Sequence, residues 1–170
     1  MGVQTVFQRY EIKFRITRQQ LNRMEPAFIR HMRPDEYTFS VPRSVYLDTP
    51  DRRLIRRSLE HPVYKEKLRM RSYATVSPED PVFAEIKKKY RSRVYKRREA
   101  MPEQAARDFL IAGRAPVNPS QIESEIAYFR RVHPELEPAV FISCERTSLV
   151  AKDDPLLRIT LDENILWRDT

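Results

Sequence analysis

The chain has 170 residues, with 32 lysines and arginines against 24 aspartates and glutamates, and the resulting charge of +8 favours a polyanionic partner: nucleic acid, an acidic membrane surface or a phosphorylated metabolite. One cysteine, Cys144, excludes an intrachain disulfide, and His31, His61 and His133 are too scattered for a zinc site. Only Gly2 and Gly113 are glycines, so neither a P-loop nor a dinucleotide fingerprint fits, and any phosphate must be held by side chains.

The opening MGVQTVFQRYEIKF has charges where a signal peptide needs an apolar run, and no stretch approaches 18 apolar residues. A cytoplasmic chain without a membrane-spanning helix is expected. Residues 6–16 alternate, with Tyr10, Ile12, Phe14 and Ile16 against Arg9, Glu11, Lys13 and Arg15, which predicts a first strand. Thr17 is a helix cap for TRQQLNRM, and Pro26 is expected to end or restart the helix before AFIRHM. SVYLDT at 44–49 reads as a short strand, after which Asp48, Thr49 or Asp51 can cap a basic helix over RRLIRRSLE. Strands follow at 63–73, 82–90 and 93–100, the last two joined by a hairpin at YRSR. Pro102 and Pro119 open two helices, Gly113 stops the first, and strands return at 139–150 and 156–167. One domain over residues 1–170 is expected, of α+β class: an antiparallel sheet or barrel with helices packed outside.

The charges repeat on one face of strand after strand. Lys65, Lys67, Arg69 and Arg71 occupy alternate positions of one strand, and Glu85, Lys87 and Lys89 do so in the next. VYKRRE offers Lys96 with Arg98, or Arg97 with Glu99. Late in the chain Arg146 and Ser148 share a face with Cys144, and Arg158 and Thr160 share one with Asp162. One such strand alone reads as a wet surface. Five or six of them, curled together, would crowd cations into a lumen, and a linear phosphate chain would supply the compensating charge. Glu11, Glu85 and Asp162 in the same rows could neutralise lysines or hold Mg²⁺ or Mn²⁺. Tyr10, Phe14, Tyr46, Phe83, Phe129 and Phe141 are assigned to the core, Cys144 to a small buried apolar role, and Arg52, Arg53, Arg56, Arg57, Arg130 and Arg131 to the surface. Glu123 and Glu125 are assigned to a solvated helix face. With the other aromatics on apolar faces, Tyr73 and Tyr90 are the candidates for stacking on bases among the cations.

Seven motifs occur in an order that resembles a known family: YEIKF at 10–14, SVYLDT at 44–49, KLRMRSY at 67–73, FAEIKKKY at 83–90, VYKRRE at 94–99, CERTSL at 144–149 and LRITLDENI at 157–165. The family is the VTC domain, the polyphosphate polymerase domain within the triphosphate tunnel metalloenzymes. The resemblance implies a tunnel of antiparallel strands in which metal-bound ATP gives its γ-phosphate to a growing polyphosphate. By the same resemblance Lys13, Lys67, Arg69, Arg71, Lys87, Lys96, Arg146 and Arg158 grip phosphate, all but Lys67 and Lys96 with a catalytic part. Glu11, Glu85 and Asp162 would assist a Mn²⁺ or Mg²⁺ ion. Hydrolysis of triphosphate in the same tunnel and a non-catalytic polyphosphate- or nucleic-acid-binding module are the alternatives; sequence-specific nucleic-acid binding is not expected. The family's closing strands and metal glutamate are expected beyond LDENI, where this chain reaches Trp167 to Thr170. A C-terminally incomplete domain that self-associates through an open strand edge is therefore the expectation.

Overall fold

The computed structural model describes residues 6–91 and 93–170, and side chains from Tyr10 onward. In chain order the elements are β1 (Val6–Tyr10), α1 (Arg18–His31), β2 (Met32–Ser40), β3 (Arg43–Asp48), α2 (Arg53–Leu59), β4 (Tyr64–Ser72), β5 (Pro81–Tyr90), β6 (Arg93–Pro102), α3 (Glu103–Leu110), α4 (Gln121–Val132), β7 (Glu137–Ala151) and β8 (Arg158–Asp169). Among the described residues the eight strands form one antiparallel sheet, in the order β1-β6-β5-β4-β3-β7-β2, with β8 on the other edge of β7. β7 is long enough to serve three neighbours: β3 pairs with its first half, β2 with its second, and β8 runs along its opposite side. The sheet curls into a half-barrel, and the expected α+β class with helices outside is the architecture found.

Strand alternation decides what each face does. Leu68 of β4 and Ala84 and Ile86 of β5 turn to the convex side, where they pack with Phe109 and Leu110 of α3 and with Ile122, Ile126 and Phe129 of α4. Burial of such side chains stabilises by about 1.5–3 kcal/mol each, so this two-layer contact is the main core. The intervening residues Lys65, Lys67, Arg69 and Arg71 turn to the concave side. Since α3 and α4 cover only the convex side, the charged side is left as a trough.

Several boundaries differ from the sequence reading. The first strand stops at Tyr10, and residues 11–17 have no regular structure; Ile12 and Phe14 are 77% and 82% exposed. Their alternation therefore does not mark a paired strand here, and Tyr10 and Phe14 are not core. The side chain of Arg9 and the Ser92 position of the expected turn lie outside the described residues, although Tyr90 and Arg93 pair as a hairpin requires. Pro26 sits inside α1 without ending it, and Thr17 and Gln20 close a full capping box at its start. α4 is capped by Ser120 with Glu123, so Glu123 is a capping residue rather than a solvated one. β2 was not anticipated: MRPDEYTFS does not alternate, and its register with β7 shifts between Pro34 and Phe39.

The short helix α2 begins at a residue in the left-handed region, Arg52 with φ 58°, and its free N–H groups are served from behind. The buried Asp48 carboxylate accepts from the N–H groups of Thr49, Leu54 and Ile55 at 2.8, 2.9 and 3.0 Å, and Thr49 Oγ1 accepts from Arg53 N at 3.0 Å. A carboxylate accepting several backbone donors is worth about 1.5–3 kcal/mol. Asp48→Ala is expected to lower the free energy of unfolding by about that amount, read by urea unfolding; an unchanged midpoint would show that water replaces the cap at no cost.

Candidate anion-binding site

The site is built by register. Lys67 of β4 lies opposite Lys87 of β5, and Lys87 lies opposite Lys96 of β6, so three lysines form one rung across three strands. One rung inward are Arg69, Glu85 and Arg98; one rung outward are Lys65, Lys89 and Val94. Tyr46 of β3 lies opposite Arg69, and Ser44 opposite Arg71. The alternative left open for VYKRRE is thereby resolved: Lys96 and Arg98 share the trough face, whereas Arg97 turns to the helices and meets Glu125. Glu125 also approaches Lys88 at 3.4 Å, so it ties α4 to the sheet instead of facing solvent.

A cavity of about 440 Å³ occupies the trough, lined by Glu11, Lys13, Tyr46, Lys65, Lys67, Arg69, Lys87, Lys89 and Val94. Four of the expected phosphate-binding residues, Lys13, Lys67, Arg69 and Lys87, therefore meet there. Lys65, Lys89 and Tyr46 belong to the lining as well. The lysines were visible in the period-two pattern although no motif singled them out, while Tyr46 was assigned to the core because an aromatic in a strand ordinarily packs there.

Beneath the cavity lies a buried ion cluster. Glu85 is fully buried; its Oε2 accepts from Arg69 Nε at 2.7 Å and faces Nη2 at 2.6 Å, and its Oε1 meets Lys96 Nζ at 2.7 Å. Arg69 Nη1 donates to Tyr46 Oη at 2.6 Å. Burial alone would push the Glu85 carboxyl up, but Arg69, Lys96 and Arg71 hold it at about 2. Burial and the nearby arginines bring Lys96 down to about 8 against the pull of Glu85. Arg71, also buried, donates from Nε to Ser44 Oγ at 3.0 Å.

Lys67 is different. Half-buried, it has no carboxylate partner among the described residues, and burial with the charges of Lys65, Lys87 and Lys13 lowers its pKa despite the opposing influence of Tyr46. On the cavity side the rung meets Glu11, whose Oε2 accepts from Lys87 at 2.7 Å and whose Oε1 lies 3.4 Å from Lys13. Burial raises the Glu11 pKa, and the Lys87 hydrogen bond and both lysine charges bring it to about 2. The trough thus carries more positive charge than its own acids balance, which favours an anionic ligand.

The remaining expected residues lie elsewhere on the same sheet. Arg146 Nε and Nη2 each donate to Asp162 at 2.6 Å, as a bidentate pair between β7 and β8. Arg158, half-exposed, approaches Asp35 of β2 at 3.4 Å. Neither arginine lines the cavity. Cys144 is only partly buried, with its thiol pushed up by burial, so its assignment to the core does not hold. Phe83 lies beneath Arg98 with 4.5 Å from guanidinium carbon to ring centroid, and Phe141 similarly lies beneath Arg168; Phe129 is in the core as expected. Of the arginines assigned to the surface, Arg130 has a structural task, donating to the carbonyls of Leu110 and Ile111 at the end of α3 beside Gly113, which holds φ +76°.

Among the described residues no three His, Cys, Asp or Glu side chains gather into a metal-holding group. Glu85 spends both oxygens on cations, and Asp162 spends both on Arg146. These residues do not fit a metal cage made by protein alone. Glu11, the carboxylate in the cavity lining, is likewise engaged, with Oε2 on Lys87 and Oε1 facing Lys13, so it would have to leave a lysine to meet a metal ion. Among the described residues no helix is long and apolar enough to cross a membrane.

Comparison with known proteins bears on family and fold. A family model described as the VTC domain matches residues 8–170. Among solved structures, a candidate adenylate cyclase of Bacillus halodurans shares the fold, with a TM-score of 0.51 and 13% identity over 99% of this chain and 80% of that chain. No curated protein matches significantly.

Proposed function

The chain belongs to the VTC domain family, and on that premise we propose that it is a phosphotransferase that lengthens polyphosphate at the expense of ATP. The observation that carries the reading is the lysine cluster around the cavity: Lys67, without a carboxylate partner among the described residues, flanked by Lys13, Lys65 and Lys87. In the transfer, a terminal oxygen of the acceptor chain attacks the γ-phosphorus, the bond from that phosphorus to the β–γ bridging oxygen breaks, and ADP leaves. Phosphoryl transfer asks mostly for positioning and for neutralisation of developing charge. Lys13, Lys67 and Lys87 supply both at the cavity wall, and the Arg69–Glu85–Lys96 cluster fixes the wall beneath them. A divalent cation, Mn²⁺ or Mg²⁺, would add charge neutralisation when bound with the nucleotide, and Glu11 is the residue that would meet it.

Incubation with ATP and Mn²⁺, followed by electrophoresis for long-chain polyphosphate, tests the activity; the expected result is a ladder of product that is lost without the protein. Release of orthophosphate with no polymer would favour the triphosphate hydrolase, for which the same rung serves. A non-catalytic binding module is favoured by one specific observation: the carboxylates Glu85 and Asp162 are already committed to Arg69, Lys96 and Arg146. Under that reading neither product forms.

All three readings share a prediction about binding. Tripolyphosphate is expected to bind more tightly than orthophosphate by at least about tenfold in calorimetry, since a linear polyanion meets several cations at once. Equal affinities would remove the basis of the proposal. Self-association follows from β8, which pairs with β7 on one side and with no strand on the other among the described residues. A concentration-dependent rise in sedimentation coefficient is expected, and a strictly monomeric chain would refute it.

A further inference from the structure

The trough holds two carboxylates of different kinds. Glu85 is fully buried on β5 and spends both oxygens on Arg69 and Lys96, so the fold itself keeps it in place. Glu11 belongs to no strand or helix. It lies in the segment 11–17, which leaves β1 at the edge of the sheet beside β6 and leads into α1, whose first residue, Arg18, meets Glu163 of β8 at 2.5 Å. The segment is therefore a strap between opposite sides of the curled sheet. Its charged side faces in: Glu11 and Lys13 line the cavity, and the charge of Lys13 reaches Lys67 on β4 and Asp162 on β8. Its apolar side faces out, with Ile12 and Phe14 exposed.

With Ile12 and Phe14 in solvent, the strap has no apolar anchor beside Glu11. What keeps the carboxylate in the trough is the pair of lysines: Oε2 accepts from Lys87 at 2.7 Å and Oε1 lies 3.4 Å from Lys13. A carboxylate oxygen on a lysine ammonium takes the place that a phosphate oxygen would take, with the same charge-assisted hydrogen bond. Withdrawing Glu11 breaks no sheet pairing and no helix, whereas withdrawing Glu85 would break open the buried cluster, so Glu11 is the acid that an incoming anion can replace. We propose that Glu11 is a built-in competitor for the anion site: the strap holds its carboxylate on Lys87 and Lys13 as a stand-in for phosphate, and a polyphosphate chain must displace it to take both lysines. Glu11 thus sets the binding threshold of the trough. The inference rests on the polyphosphate reading of the site.

The test is calorimetry with tripolyphosphate, in buffer stripped of divalent cations, on the unaltered chain, Glu11→Gln and Glu11→Asp; thermal melting confirms that each is folded. Glu11→Gln removes the competing charge and is expected to bind about fivefold more tightly, the scale of a partly exposed ion pair. Glu11→Asp keeps the charge on a shorter side chain, so its hold on Lys87 weakens and binding is expected to tighten by about twofold. A general effect of negative charge would treat aspartate like glutamate. Glu11→Asp that binds as the unaltered chain does, or more weakly, therefore overturns the proposal even where Glu11→Gln binds more tightly. Unchanged or weaker binding in Glu11→Gln overturns it as well. In both cases the unaltered chain still binds, and the reading of the site stands. If none of the three binds tripolyphosphate, that reading fails and the competitor with it.

Discussion

Glu85→Leu is expected to cost about 3–5 kcal/mol of stability, the range for breaking a buried ion pair from one side. The carboxylate is fully buried between Arg69 and Lys96, so its loss leaves two cations without their counter-charge in a place water does not reach. For a chain of this size the melting temperature should fall by roughly 6–20 °C. Replacing the whole cluster, as Arg69→Met, Glu85→Leu and Lys96→Met together, should recover much of the loss, because apolar groups of similar volume do not carry the desolvation penalty. A single variant that melts with the unaltered protein would show the cluster to be solvated. The same carboxylate sets an acid limit. Its pKa falls from 4.5 to about 2 on folding, so its contribution is fully present above about 4.5 and drains away as the pH falls towards 2. In Glu85→Leu that part of the acid dependence should be missing.

Lys67→Ala should behave in the opposite way. Its side chain has no carboxylate partner among the described residues and stands among Lys65, Lys87 and Lys13, so truncation relieves repulsion in the trough and should leave stability unchanged or improved. Binding of tripolyphosphate should weaken by about 10- to 150-fold, corresponding to about 1.5–3 kcal/mol for a charge-assisted contact. Arg69→Ala, which the sequence alone would place in the same class, is separated from it by Glu85: that variant loses stability along with binding. Calorimetry and melting curves on the two variants make the distinction, and a Lys67→Ala protein that binds normally would remove the lysine rung from the site. Added salt should weaken binding in the unaltered chain, though less than for a flat patch, since charges in a partly enclosed trough are poorly screened.

Why Lys67 was legible and Glu85 was not is a matter of register. Alternation along one strand shows that Lys65, Lys67, Arg69 and Arg71 share a face, and the apolar partners Leu68 and Ile86 show which side is core. Alternation says nothing about which residues of the next strand stand opposite. Only pairing brings Glu85 between Arg69 and Lys96, and favours the counterion among the two roles, neutralising cations or holding a metal, that the sequence left open. Tyr46 was misplaced for a related reason, since an aromatic with a hydroxyl serves a core or a polar wall equally well until its neighbour is known to be an arginine. Caps were easier to foresee: Thr17 and Asp48 act within a few residues of themselves. β2 left no trace because Pro34, Asp35 and Glu36 interrupt any apolar period, and the strand is held by β7 rather than by its own composition.

The rungs also bear on how this chain tolerates insertions and deletions. Neighbouring positions in β4 and β5 serve opposite solvents, a helix-covered core and a charged trough, so a substitution damages one position while a single-residue deletion inside β4 exchanges the duties of all those that follow it in the strand. Lysines would be driven under α3 and α4, and Leu68 and Met70 into the trough. Lineages of this sequence should therefore vary in length in the stretches between strands, such as residues 73–80 and 111–119, and keep the strand interiors free of odd-numbered gaps. A two-residue change there would preserve the alternation, yet it would slide one rung past its neighbour and separate Glu85 from the cations that flank it.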